Sequence, residues 1–187
     1  MRSPSKLLAL KNGLRTGLFT YALAMTCRPH TFVAQFNDMI AGLNHIHSSF
    51  RYLVLLFILL ALFDALIGLS SGKTYKKSSK LFALGGLILS HIQLLVGLLL
   101  YFLGAKGFAL FSQEGMMKDA TMRFFAVEHI SMMIIAVALV TVGYSRSKKQ
   151  EDSTKKFRTI AIFYGIAIAI IFVMIPWPFL KEFGNWF

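Results

Sequence analysis

Three of the five histidines in this chain, His47, His91 and His129, fall within or at the edge of stretches apolar enough to dissolve in lipid. An ionisable side chain inside a membrane span costs several kcal/mol unless it faces a protein interior and finds a partner, so each is a candidate for function. Arg51 follows His47 by one helical turn and shares its face. Glu128 directly precedes His129, Gln93 follows His91 by two positions, and Asp64 lies farther along the first apolar stretch. At about 1.5 Å per residue, His91 lies about 18 Å from the end of its stretch near Leu103, and His129 about 15 Å from the start of its own near Asp119. On antiparallel neighbours those depths agree to within about one turn. Two imidazoles facing each other across a cavity are what six-coordinate haem iron takes, one from each side. The spacing therefore predicts His91 and His129 as axial ligands of one b-type haem, with His47 and His129 as the alternative pair. Polar packing between helices, a proton relay and another metal are the competing uses of the same side chains.

The neighbours of these histidines fit the haem reading. The face of His129 carries Ala126, Met133, Ala136, Val140 and Gly143 at helical spacing, a slender strip beside which a flat macrocycle finds room. His47 and Arg51, near the outer end of their stretch, are expected to address haem propionates, since the planar guanidinium of Arg51 matches a carboxylate with two hydrogen bonds. Snorkelling to the interface is the competing role for Arg51, and anchoring the expected role for Arg123. Successive helical residues diverge by about 100°, so Glu128 points away from His129. Its expected partners are Arg51 or His47 across the bundle, or a quinone hydroxyl, and it is the candidate proton-linked group. Asp64 is expected to pair with a loop lysine.

The elements that must hold these side chains are readable from composition. Of the 187 residues 56% are hydrophobic and only 15% charged, and the mean hydropathy is +0.64. That excludes an ordinary soluble domain. Apolar runs of membrane-crossing length occur at about 48–70, 80–103, 120–144 and 158–177. Short connections force antiparallel neighbours, so the expected fold is all-α, a transmembrane four-helix up-down-up-down bundle. In the second run Gly86, Ser90, Gln93, Gly97 and Gly104 form one narrow polar face expected to look inward, and in the fourth Ala161, Gly165 and Ala169 form a stripe expected to pack against another helix. The sequence "IPWPF" after the last run joins a helix stop to an interfacial aromatic anchor. The connection "GAKGFALFSQEGMMKD" is expected to lie on the membrane surface.

The formal charge of +12 is concentrated where topology explains it. Lys73, Lys76, Lys77 and Lys80 lie between the first two runs, and Arg146, Lys148, Lys149, Lys155, Lys156 and Arg158 between the last two, whereas the middle connection has only Lys106 and Lys118. Both basic loops are expected to face the cytoplasm and to meet anionic lipid, with the N- and C-termini on the other, periplasmic side. No aromatic interleaving or groove-reading motif accompanies the lysines, so no nucleic-acid partner is expected. Residues 1–38 are basic and expected to form a poorly ordered extension ahead of a membrane domain at 39–187. They read either as a secretory signal with an Ala22-x-Ala24 cleavage site or as sequence ahead of a true start at Met39. The single Cys27 excludes an internal disulfide and a cysteine metal cluster. Phosphate-binding glycine loops, the His-Glu-x-x-His zinc motif and cysteine haem-attachment motifs are absent from the sequence.

The segments "HSSFRYLVLL", "HIQLLVGLLLYF", "KDATMRFFAVEHISMMIIAVALVTVG" and "IPWPF" resemble small four-span membrane proteins of Bacteroidetes-type bacteria that are labelled cytochrome b-like. The likeness covers about residues 45–179, and its matching positions are His47, Arg51, His91, Glu128 and His129. It implies a multi-pass protein of the bacterial inner membrane that binds haem. A more distant similarity is to one four-helix half of haem A synthase, but here the acid directly precedes the histidine in place of that enzyme's Glu-x-x-His-Arg arrangement. The expected activity is electron transfer to or from a membrane quinol. The alternatives are a non-redox accessory or assembly subunit, with respiratory-complex subunits as partners, and a haem-modifying protein of the haem A synthase kind.

Overall fold

The computed structural model describes residues 29–179. Four long helices account for most of them, and no strand occurs among the described residues. Helix α1 is Pro29–Ser71 and α2 is Lys77–Leu103. Helix α3 runs over Ala120–Lys149 and α4 over Ser153–Met174. All four are long and apolar enough to cross a membrane.

Local sequence sets the ends. Helix α1 stops at Gly72, whose φ of 64° is the left-handed conformation that glycine adopts without strain. Asp119 and Asp152 cap α3 and α4, accepting from Met122 N at 2.7 Å and from Lys155 N at 2.8 Å. Each satisfies one of the N–H groups that a helix start leaves without a carbonyl. Pro176 follows α4 by two residues and cannot extend it.

The contacts fix the topology. Along α1 and α2, Ile58 meets Gly86, His47 meets Gly97 and Ile40 meets Gly104, so residue numbers fall on one helix as they rise on the other. The α2–α3 pair behaves the same way through His91 with Thr141 and Tyr101 with Ala126. Phe163 with Gly143 and Met174 with His129 join α3 to α4, and Phe157 with Gly68 joins α4 back to α1. Every neighbouring pair is antiparallel, which is the expected up-down-up-down bundle. The α1–α2 and α3–α4 turns touch directly, Tyr75 N donating to Ser153 Oγ at 3.0 Å, so the lysine-rich loops share one end.

The core is centred on Tyr164, Phe157, Ile58, Ile160 and Val140, all fully buried. Tyr164 donates to the Ala83 carbonyl at 2.6 Å, which supplies the partner a buried phenol requires. The narrow face of α2 looks inward as its spacing implies: Gly86 and Ser90 are buried and Gln93 half-buried. The stripe on α4 does so in part: Ala161 packs against the core and Gly165 faces Leu62 of α1. Phe157, Ile160, Tyr164, Ala167 and Ile171 are the buried face, while Ala169 is exposed. The connection after α2 contains a short 3-10 helix, Phe108–Ser112, and folds back onto α3, burying Leu110 and Met116 against Ala126.

Contacts divide the chain into Met1–Met39 and Ile40–Phe187. Of the expected extension, residues 29–38 are the first turns of α1. Residues 1–28, with Cys27 and the Ala22-x-Ala24 sequence, lie outside the described residues.

Candidate functional site

The unusual backbone of the bundle lies just ahead of His129. Helix α3 opens with an α turn at Ala120–Arg123, widens to a π turn at Phe124–Glu128, and resumes as α-helix from His129 to Lys149. Widened turns of this kind are rare and concentrate at functional sites. In a straight α-helix residues five apart diverge by about 140°, yet here Arg123 Nε donates to Glu128 Oε1 at 2.7 Å. The π turn brings them to one face. Arg123 also donates to the Met117 carbonyl at 3.0 Å and so ties the preceding loop to the helix. Glu128 therefore has its salt bridge on its own helix, in place of the expected Arg51 or His47 across the bundle. The pair is roughly one-third to two-fifths exposed, at 37% and 40%.

His129 is turned towards His47, and the two rings are centred 6.4 Å apart at 70°. His129 Nδ1 is 2.8 Å from the Met174 carbonyl, a contact in which only the N–H can donate. In the neutral ring this leaves the lone pair on Nε2. The Phe124 ring packs on the His129 ring at 5.6 Å. His47 is seated against Gly97, where a Cβ would stand 3.0 Å from His47 Cε1. Gln93 Nε2 donates to the His47 carbonyl at 2.8 Å. His47 Nδ1 and Gln93 Oε1 are buried with no hydrogen-bond partner among the described residues.

One turn deeper, Arg51 is 8% exposed, which rules out snorkelling to water. Its guanidinium stands 4.9 Å from the centre of the Tyr52 ring and 5.4 Å from that of Trp177, and Nη2 donates to the Tyr52 hydroxyl at 3.1 Å. Trp177 is folded back over the bundle and 6% exposed, its indole N–H donating to the Phe172 carbonyl at 2.9 Å. It covers Arg51 more than it anchors an interface.

His91 is elsewhere. It is exposed on α2, with Nδ1 donating to Leu87 O at 2.8 Å and Nε2 at 3.4 Å from Thr141 Oγ1. Thr141 follows His129 by about 18 Å of helix rise, so His91 and His129 differ in depth by several turns where their positions in sequence put them level. The cause is register. The ends of α2 and α3 do not coincide, because Tyr101 near the end of α2 donates to Ala126 at 3.0 Å, already about two turns past Asp119. Asp64 has the expected lysine partner, Lys73, at 2.7 Å. No group of three or more His, Cys, Asp or Glu side chains suited to a metal ion occurs among the described residues. The roles of the Met174 carbonyl and the Trp177 cover depend on where the chain returns after α4, and the paired prolines were their only trace in sequence.

No family model matches the chain, and neither a curated protein nor a solved structure matches it.

Proposed function

We propose that the chain is a membrane electron-transfer protein that binds one b-type haem between His47 and His129 and exchanges electrons with a membrane quinol. The observation that carries the reading is the facing pair of imidazoles with rings centred 6.4 Å apart. His47 and His129 are the side chains that would hold the haem iron. Three features of the surroundings suit such a group. His47 Nδ1 and Gln93 Oε1 are buried polar atoms without partners among the described residues, and such atoms call for an explanation. Gly97 seats the His47 ring, which a Cβ there would crowd. The Nδ1 bond from His129 to the Met174 carbonyl is the second contact that ligating imidazoles ordinarily make, fixing ring orientation and raising basicity.

When bound, haem supplies a reversible one-electron couple. The chain's own residues do the rest. Arg51, buried one turn from His47, holds a positive charge that favours arrival of an electron in a medium of low dielectric. Trp177 covers that charge and keeps water from it. Glu128, paired with Arg123 at the half-exposed edge, is the group placed to exchange a proton with solvent. On this reading the protein resides in a bacterial inner membrane, the lysine-rich end faces the cytoplasm, and the His47–His129 site lies towards the periplasmic boundary.

A reduced-minus-oxidised spectrum of protein purified from haem-replete cells tests the proposal. We expect a Soret peak and a sharp reduced α band that His47→Ala and His129→Ala each abolish and that His91→Ala preserves. A colourless, well-folded preparation refutes haem binding. Loss on His91→Ala with retention on His47→Ala restores the pair that depth in sequence suggests.

A second reading, an accessory subunit of a larger membrane complex, draws on His91 itself. An exposed imidazole within a span is costly against lipid, and a partner helix seated on that face of α2 would relieve it. Copurification of a larger complex that His91→Leu abolishes, with no haem spectrum, would favour this reading over electron transfer.

A further inference from the structure

At the lysine-rich end, away from the histidines, the bundle carries a half-open cavity of about 290 Å³. Its walls come from three segments: Lys76, Lys77 and Lys80 at the start of α2, Lys148 at the end of α3, and Lys156 at the start of α4, with Tyr75 between α1 and α2. Five lysines line one space, and among the described residues no Asp or Glu does. Of the acids at this end, Asp152 caps α4, Asp64 pairs with Lys73, and Glu151 is exposed in the α3–α4 turn.

Membrane topology explains lysines at this end but not their convergence. Orientation requires only that basic residues lie in the loops near the helix ends. Gathering five around one concavity adds mutual repulsion, which a bound anion would offset. The walls are also well ordered. Tyr75 N is bonded to Ser153, the Tyr75 ring lies 5.0 Å from that of Phe157, and Lys156 Nζ stands 5.6 Å from the centre of the Tyr75 ring. Ser147, 2% exposed, lines the floor. The first turn of α2 opens at the same place without a side-chain cap, so its N–H groups add to the positive potential that the lysines create.

We propose that this cavity is a binding site for a phosphate group, supplied as the headgroup of an anionic phospholipid in the adjacent leaflet. Lysines present three donors each and act as point charges on phosphate oxygens. Basic pockets between helices at the cytoplasmic boundary are where such headgroups bind. The volume falls at the lower end of small-ligand sites, the size of a headgroup and not of a whole lipid, so the acyl chains would lie along the apolar faces outside. This site does not depend on haem or on the electron-transfer reading.

The test uses the full chain, purified in detergent and stripped of lipid, with thermal unfolding followed against phosphatidylglycerol, phosphatidylcholine and inorganic phosphate. The variant Lys76→Gln/Lys80→Gln/Lys156→Gln removes cavity charge, and Lys149→Gln/Lys155→Gln/Arg158→Gln removes the same charge from outside the cavity. We expect phosphatidylglycerol to raise the Tm of the wild type and the outside variant, with the midpoint concentration at least tenfold higher in the cavity variant, and phosphatidylcholine to do nothing. The corresponding Lys→Arg cavity variant, which retains the charge, should respond like the wild type and serves as the check on folding. Stabilisation by inorganic phosphate alone with the same dependence on the cavity lysines would support the phosphate site and identify the free anion as its source. Equal weakening in both Gln variants, or no response of the wild type to any of the three probes, overturns the proposal.

Discussion

His47 owes its position to one missing methyl group. A Cβ on residue 97 would stand 3.0 Å from His47 Cε1, closer than ordinary contact, and the ring would have to shift to admit it. Gly97→Ala should therefore cost about 1–3 kcal/mol, the usual range for overpacking, and should broaden or remove the low-spin spectrum. Unfolding of the purified variant together with its spectrum checks both, and an unchanged spectrum would separate His47 from the cofactor. Glu128 poses a different question. Its salt bridge with Arg123 is open to solvent on both sides, and exposed pairs contribute about 0–1 kcal/mol. Glu128→Gln should consequently leave thermal stability within about 1 kcal/mol of wild type, where a buried pair with Arg51 would have cost several. If Glu128 is the proton-linked group, the same variant should flatten the pH dependence of the midpoint potential while leaving the spectrum intact. Redox titration across pH measures it, and an unaltered slope removes Glu128 from that role.

At the scale of elements, what could be read in the sequence and what could not differ in kind. The four apolar runs, their polar faces and their loop lysines depend on side chains within one segment, and periodicity exposes them: Gly86 and Ser90 face inward as their spacing requires. Register between helices depends on contacts between segments. Tyr101 meets Ala126 through a single hydroxyl, and the π turn at Phe124–Glu128 changes the direction of everything before it without any distinctive composition. That is why the candidate histidines were legible and their pairing was not: depth counted from helix ends favoured His91 beside His129, and the offset ends bring His47 there. The turn between α1 and α2 offers a prediction of its own. Burial pushes the phenol of Tyr75 above its ordinary 10.0, with a hydrogen bond from Ser147 acting in the opposite sense and the charges of Tyr144 and Asp64 adding to the rise. The folded state thus holds that proton more tightly than the unfolded chain. The resulting stabilisation is fully present below about pH 10 and is lost as pH rises through the folded value. Unfolding free energy compared between wild type and Tyr75→Phe should show a constant difference up to about pH 10 and a falling one above it. A difference that stays level to higher pH would mean that Tyr75 does not titrate with folding.

For the whole molecule, the direct bond between the two lysine-rich turns joins the charge pattern to the fold. Lys73, Lys76, Lys77 and Lys80 stand at the same end as Lys148, Lys149, Lys155 and Lys156, while Lys106 and Lys118 lie in the connection at the other end. On the proposed orientation the richer end lies in the cytoplasm, because basic residues close to span ends resist translocation. The same orientation puts the histidine pair near the far boundary: His129 is about 30 Å of helix rise from the end of α3 at Lys149, the full thickness of a hydrocarbon core. Electron exchange would then take place at the periplasmic side and phosphate binding at the cytoplasmic side of one small bundle. Cysteine accessibility decides the orientation. In a chain whose Cys27 is first replaced by serine, Ser112→Cys should react with a membrane-impermeant maleimide added to intact spheroplasts. Ser78→Cys and Glu151→Cys should react only after the inner membrane is opened. All three positions are exposed, so failure to label reports the membrane and not burial. Labelling of Ser78→Cys and Glu151→Cys from outside, with Ser112→Cys protected, would invert the bundle, moving the histidine pair to the cytoplasmic boundary and the lysine cavity to the periplasmic leaflet.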